Sequence, residues 1–150
     1  RKNGGIARTL IAKFARQQPA TRENAVEVAV DTFAAISGPH FDADEYRLVA
    51  ESAVARSFAP AGMARQTAAI AGSRDRTALL GSISVPTLVV HGLIDQLVQP
   101  SGGIATTKAI PAARLLAFAD MAHDLPRTRW HEMCDEIIRN AERAAAEPVS

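Results

Sequence analysis

Along the first half of the chain, apolar residues recur every three or four positions. Ile6, Leu10, Ile11 and Phe14 repeat in this way until "QQP" breaks the pattern, and they predict a short amphipathic helix over residues 6 to 16. Val26, Val30 and Phe33 continue the rhythm behind a capping Thr21, and Gly38-Pro39 supplies a stop that no helix crosses easily. The spacing predicts a second helix of about four turns. Asp42 and Glu45 occupy the positions of a capping box, with Tyr46, Val49, Ala53 and Val54 as the expected buried stripe behind them. Pro60 suits the first turn of a fourth helix, "AGMARQTAAIAG", which aligns Met63, Thr67 and Ile70; "DRTALLGSI" predicts a short fifth helix capped by Gly81.

The rhythm changes at Val85-Pro86. Proline disfavours helix at the residue before it, and the run "TLVVH" is continuously apolar, so it predicts a strand buried on both faces. "SGGIATTKAIP" predicts a helix ended by Pro111, "ARLLAF" a second buried strand, and residues 127 to 145 a last helix with Trp130, Met133, Ile137 and Ile138 on one stripe. The expected fold class is therefore α/β, with a helical segment over residues 1–82, a parallel β-α-β-α unit over 83–145 and a fraying tail over 146–150.

Composition narrows the function classes. At 150 residues the chain is long enough for one domain with a real core. Seventeen basic and sixteen acidic residues are interleaved and leave a net charge of +1, which gives no support to nucleic acid or an anionic membrane as partner. Aromatics are only 5% and alanine is abundant, which favours closely packed helices. Cys134 has no second cysteine to pair with and reads as a small buried hydrophobe in a reduced, cytoplasmic setting. No stretch reaches the roughly 18 apolar residues of a membrane span, and "RKNGGIARTLIAKFARQQP" is too charged for a signal peptide core. A start without methionine reads as a processed chain or part of a longer product.

The chemistry concentrates after the two strands. In a right-handed parallel β-α-β unit both carboxyl ends open on one sheet edge, and Asp95 and His123 follow those ends in similar loops. An aspartate accepting the Nδ1 proton of a histidine fixes its tautomer and leaves Nε2 as a general base; alternatively Asp95 simply caps its turn. His91 reads as a structural histidine with a bonded ring, Asp124 as a helix cap, and His40 and His131 as surface residues. Asp120, Asp124, His91 and Asp95 lack recognisable metal-ligand spacing, so no metal and no cofactor is expected. Phe33, Tyr46, Phe58 and Met63 are candidates for a substrate pocket.

"SISVPTLVVHGLIDQLVQPSGGIATTKAIPAARLLAFADMAHDLP" resembles the last two strands of an α/β-hydrolase, in which H-G-x-x-D ends one strand and a G-H-type dipeptide follows the next. "FAPAGMARQTAAIAGSRDRTALL" resembles the helices before that strand in the esterase branch similar to aclacinomycin methylesterase, and the likeness extends over about residues 42 to 138. It implies that Asp95 is the acid and His123 the base of a Ser-Asp-His triad, that residues 6 to 72 match the cap, and that the substrate is a small ester-like molecule. Ala122 replaces the commoner glycine before the histidine.

None of the eight serines, at positions 37, 52, 57, 73, 82, 84, 101 and 150, lies in a G-x-S-x-G elbow, and no H-G-G-type oxyanion loop is present. Ser101, before Gly102-Gly103, reads as an N-cap. The chain is thus expected to be the C-terminal half of a hydrolase whose nucleophile lies in a missing N-terminal half. The rival reading is a non-catalytic helical module on a remnant sheet whose open edge invites self-association or another chain. A third keeps the fold with epoxide, haloalkane or C–C hydrolysis, or cofactor-free peroxidation.

Overall fold

A computed structural model describes residues 3–146; the expected fraying tail from residue 147 onward lies outside the described residues. Helix α1 (Arg8–Ala15) buries Leu10 and leaves Ile6 and Ile11 in solvent. Helix α2 (Ala25–Ile36) starts later than a cap at Thr21 would place it, because Thr21 and Asn24 close a turn on each other first: the Asn24 Oδ1 accepts the Thr21 amide at 2.6 Å. Helix α3 (Ala43–Arg56) is capped as expected by Asp42, whose Oδ1 accepts the amides of Asp44 and Glu45, both at 3.0 Å. Glu45 does not reach back to the cap amide. Its carboxylate pairs with Arg127 instead.

The stripe expected on α3 is rotated. Tyr46, Ala50 and Val54 turn inward at four-residue intervals against α2, and Val49 and Ala53 stay exposed. Helix α4 (Ala61–Gly72) has the expected bounds but buries nothing, so the aligned Met63, Thr67 and Ile70 face solvent. Helix α5 (Thr77–Leu80) leads into the sheet.

Strands β1 (Thr87–Gly92) and β2 (Ala113–Phe118) pair in parallel, with Thr87 opposite Ala113 and Gly92 opposite Phe118. Helix α6 (Ser101–Ala109) makes the crossover, and α7 (Trp130–Ala146), entered through a 3₁₀ turn at Arg127–Arg129, returns along the sheet. Phe118, Met121 and Met133 form the core with Val90 and Leu116 packed on it, while Asn140 donates to the Pro86 carbonyl at 3.0 Å and fixes the far end of α7. The strands are half-buried rather than buried on both faces, because two strands and two helices leave part of the sheet uncovered. Of the stripe expected on α7 only Met133 is buried; Trp130, Ile137 and Ile138 are exposed, and so is Cys134, contrary to its reading as a buried hydrophobe.

Two contacts carry the sheet edge into the loops that follow it. Gly92 ends β1 where the β2 loop crosses it: a Cβ there would lie 2.1 Å from the Met121 carbonyl oxygen and 2.2 Å from that of Ala122. Only a residue without a side chain lets the backbones approach so closely. The loop also ties to the helical segment, since Asp120 holds Arg129 at 2.6 Å and His40 at 2.7 Å. The Arg129 guanidinium, and next the His40 ring, hold the Asp120 carboxyl well below the usual carboxylate range.

These contacts generate two expectations. Gly92→Ala should cost at least about 3 kcal/mol in urea unfolding, as overpacking against unyielding backbone does. Gly72→Ala, whose Cβ meets nothing within 4 Å, should stay within about 0.5 kcal/mol of wild type. Asp120→Asn should lower the urea midpoint at neutral pH. A depressed carboxyl pKa contributes stability above its unfolded value, about 4, so the gap to wild type should narrow as pH falls below that.

Candidate active site

The turn after β1 is built around one carboxylate. Asp95 is 5% exposed, and its Oδ1 accepts the amides of Leu97 at 2.8 Å and Val98 at 2.9 Å, curling the chain back toward the sheet. The His91 ring, at the strand end, completes that turn through Nε2 and the Val98 carbonyl at 2.9 Å, as its bonded-ring reading expects. Segment 4–9 closes over the outside: the Ala7 amide donates to the Gln96 carbonyl at 2.8 Å and the Thr9 hydroxyl to the Gln96 side chain at 3.1 Å.

The other oxygen of Asp95 faces the second loop. Oδ2 accepts from Nδ1 of His123 at 2.9 Å. The two readings of Asp95 are therefore both realised, one on each oxygen: it caps its own turn and orients a histidine. The His123 amide donates to the Ile36 carbonyl at the end of α2, 2.9 Å away, which pins the loop from the helical side. Its side chain is 39% exposed, and Nε2 has no protein partner among the described residues. With Nδ1–H held by a carboxylate, Nε2 carries the free lone pair of the neutral ring. The pair can accept a proton from a hydroxyl or water brought to the open side.

Asp124 sits elsewhere than expected. It caps no helix; Oδ1 accepts the Gly38 amide at 2.9 Å, across the chain, and the residue is 5% exposed. His40 is on the surface but paired with Asp120, and His131 is exposed. Ser101 is the first residue of α6 rather than its cap, and its hydroxyl accepts the Gly4 amide at 3.0 Å. Asp120, Asp124, His91 and Asp95 take separate partners, and among the described residues no group of three or more acidic, histidine or cysteine side chains is arranged to hold a metal ion.

Of the pocket candidates, Phe33 and Tyr46 come together, with ring centroids 4.6 Å apart and Phe41 joining at 5.0 Å from Tyr46. Burial, and next the Asp124 carboxylate, push the Tyr46 phenol up. Phe58 lies under the Arg22 guanidinium instead, and Met63 is 65% exposed on α4; neither joins the cluster. A small cavity lined by Lys13, Phe14, Arg16, Gln17, Asp31 and Ala35 lies between α1 and α2 and shares no residue with the pair. The two loops also carry exposed Leu93, Ile94, Val98, Leu125 and Trp130, an apolar rim on the segments that hold the pair.

Sequence reasoning missed the partners from the helical side. Ile36 and Gly38 sit in a stretch that reads only as a helix stop, and a main-chain carbonyl or amide leaves no mark of its role in residue type. Gly38 did carry a signal: a Cβ there would stand 3.0 Å from the Asp120 carbonyl oxygen, so glycine marks a close approach as well as a stop.

No protein-family model matches the chain, and no curated protein matches it. Solved structures do. An esterase from a Rhodococcus species aligns over 92% of this chain and 49% of its own, at 21% identity and a TM-score of 0.62. The meta-cleavage product hydrolase of Pseudomonas fluorescens aligns over 95% and 53%, at 16% identity and 0.63. A thermophilic esterase from Thermogutta terrifontis aligns over 91% and 48%, at 24% identity and 0.56. The chain spans about half the length of these structures. With its helical segment followed by a parallel β-α-β-α unit, it has the fold of the C-terminal portion of an α/β-hydrolase.

Proposed function

We propose that the chain contributes the acid and the base of a carboxylic-ester hydrolase, Asp95 and His123, to a triad whose serine none of its 150 residues supplies. The observation that carries this reading is the 2.9 Å contact between Asp95 Oδ2 and His123 Nδ1 at the carboxyl ends of two adjacent parallel strands, with Nε2 left open. In the reaction His123 takes the proton of the serine as it attacks the ester carbonyl. The resulting imidazolium, stabilised by Asp95, gives that proton to the leaving alcohol. His123 then activates water, which releases the acid and restores the serine.

In this reading residues 1–82 serve as the cap and the helix leading into the core, with Phe33 and Tyr46 toward the substrate, and 83–145 as core. The chain works in the cytoplasm beside an N-terminal half of comparable size. Such a partner answers two features of the structure: a two-stranded parallel sheet leaves one edge of each strand unpaired, and Ile104, Leu115, Ile137 and Ile138 around it are exposed. The esterase branch similar to aclacinomycin methylesterase is the family we favour, on the helical stretch "FAPAGMARQTAAIAGSRDRTALL" that precedes β1.

C–C bond hydrolysis is the second reading, favoured by the likeness to a meta-cleavage product hydrolase. It uses the same acid and base, so only substrate choice separates the two.

With the N-terminal half supplied, the protein should hydrolyse a short-chain p-nitrophenyl ester. Asp95→Asn keeps an oxygen for the Leu97 and Val98 amides but presents an amide N–H to His123, which forces the wrong tautomer. It should cut kcat by about 10⁴ with little change in melting temperature. His123→Ala should do at least as much; full activity in both variants would sink the assignment. Turnover of a vinylogous 1,5-diketone with no turnover of any ester would move the protein to the second reading.

A further inference from the structure

Asp124 is a buried carboxylate that the Asp95–His123 pair does not use. Placing such a group out of water is costly unless hydrogen bonds or a charge partner compensate. Its Oδ1 grips the Gly38 amide at 2.9 Å, and the residue before it, His123, donates its own amide to the Ile36 carbonyl at 2.9 Å. Two successive residues of the histidine loop are thus tied to positions 36 and 38 of the turn leaving α2. Backbone meets backbone between them, since a Cβ on Gly38 would stand 3.0 Å from the Asp120 carbonyl oxygen and 3.3 Å from the Ala122 amide. One hydrogen bond holds the loop at a point but leaves it free to swing about that point; a second, one residue on, removes the swing. The direction of the His123 ring is what that swing would change.

We propose that Asp124 is a positioning residue for His123: by holding the Gly38 amide it fixes the approach of the imidazole to Asp95 and makes that alignment depend on how the turn between α2 and α3 is seated. Its catalytic consequence rests on the reading of His123 as the base, but the geometric claim does not. Whatever shifts the α2–α3 turn then changes the aim of the histidine without touching it.

The test reads the ring directly, by NMR of the full chain with labelled histidine at neutral pH. Asp124→Ala should speed solvent exchange of the His123 Nδ1 proton about tenfold, the effect of losing one buried hydrogen bond. The Leu93 amide, bonded to the Phe118 carbonyl at 2.8 Å at the sheet edge, should keep its protection. Asp124→Asn retains an acceptor for Gly38 and should exchange as wild type does. Wild-type exchange in Asp124→Ala, or exchange in Asp124→Asn as fast as in free histidine, overturns the proposal. If Asp124→Ala also loses Leu93 protection it has unfolded, and Asp124→Asn decides alone by the same criterion. No substrate is involved, so failure here leaves the ester assay untouched, and a His123→Ala enzyme with full activity would end the triad reading while leaving this tie standing.

Discussion

A carboxylate removed from water must be given hydrogen bonds, and the arrangement of the sheet edge follows from how Asp95 obtains three. Two come from the amides of Leu97 and Val98, which forces the chain after β1 to curl; the third comes from His123, which requires the loop after β2 to pass directly over the end of β1. Gly92 makes that passage possible, and the Leu93 and Ile94 amides bond to the Phe118 and Met121 carbonyls across it. Satisfying one buried acid and presenting one open imidazole nitrogen are the same structural problem here.

The helical segment takes part in the solution. Ile36 and Gly38 hold the histidine loop from above, Glu45 reaches Arg127, and His40 with Arg129 brackets Asp120. Exposed ion pairs of this kind are individually weak, and several that converge on one loop act mainly by restricting its register. The contact of the buried Asp124 carboxylate with the Gly38 amide differs in kind, since its loss leaves a desolvated carboxylate oxygen without that partner.

How far the sequence is legible depends on the range of the interaction that decides each feature. The β-α-β-α order, the Asp42 cap and the bounds of α4 rest on local spacing, and they read correctly. The contact between Asp95 and His123 is also legible, because parallel topology brings two short loops to one edge. What misreads is decided at long range. The apolar pattern points Val49 inward where Ala50 is buried instead, since the neighbouring α2 selects the buried face and the pattern admits both. Asp124 resembles a local cap in "HDLP", but its partner is 86 positions away. Met63, Cys134 and Ile137 sit on helix faces that periodicity marks as apolar, and nothing in the described residues covers them.

That uncovered surface and the open imidazole belong to one argument. A histidine held by a buried acid, 39% exposed and unbonded at Nε2 among the described residues, presents a free ring nitrogen to solvent. The sheet that carries it has two strands where parallel sheets are buried within larger ones, and apolar residues on α6, α7 and β2 stand in solvent beside it. Leaving such surface exposed costs about 25 cal/mol for each Å² that a partner could cover, so the energetic pressure is toward association. Strands added beside β1 extend the same carboxyl edge that holds Asp95 and His123. Covering the apolar surface and extending the edge that carries the open imidazole are then one geometric problem.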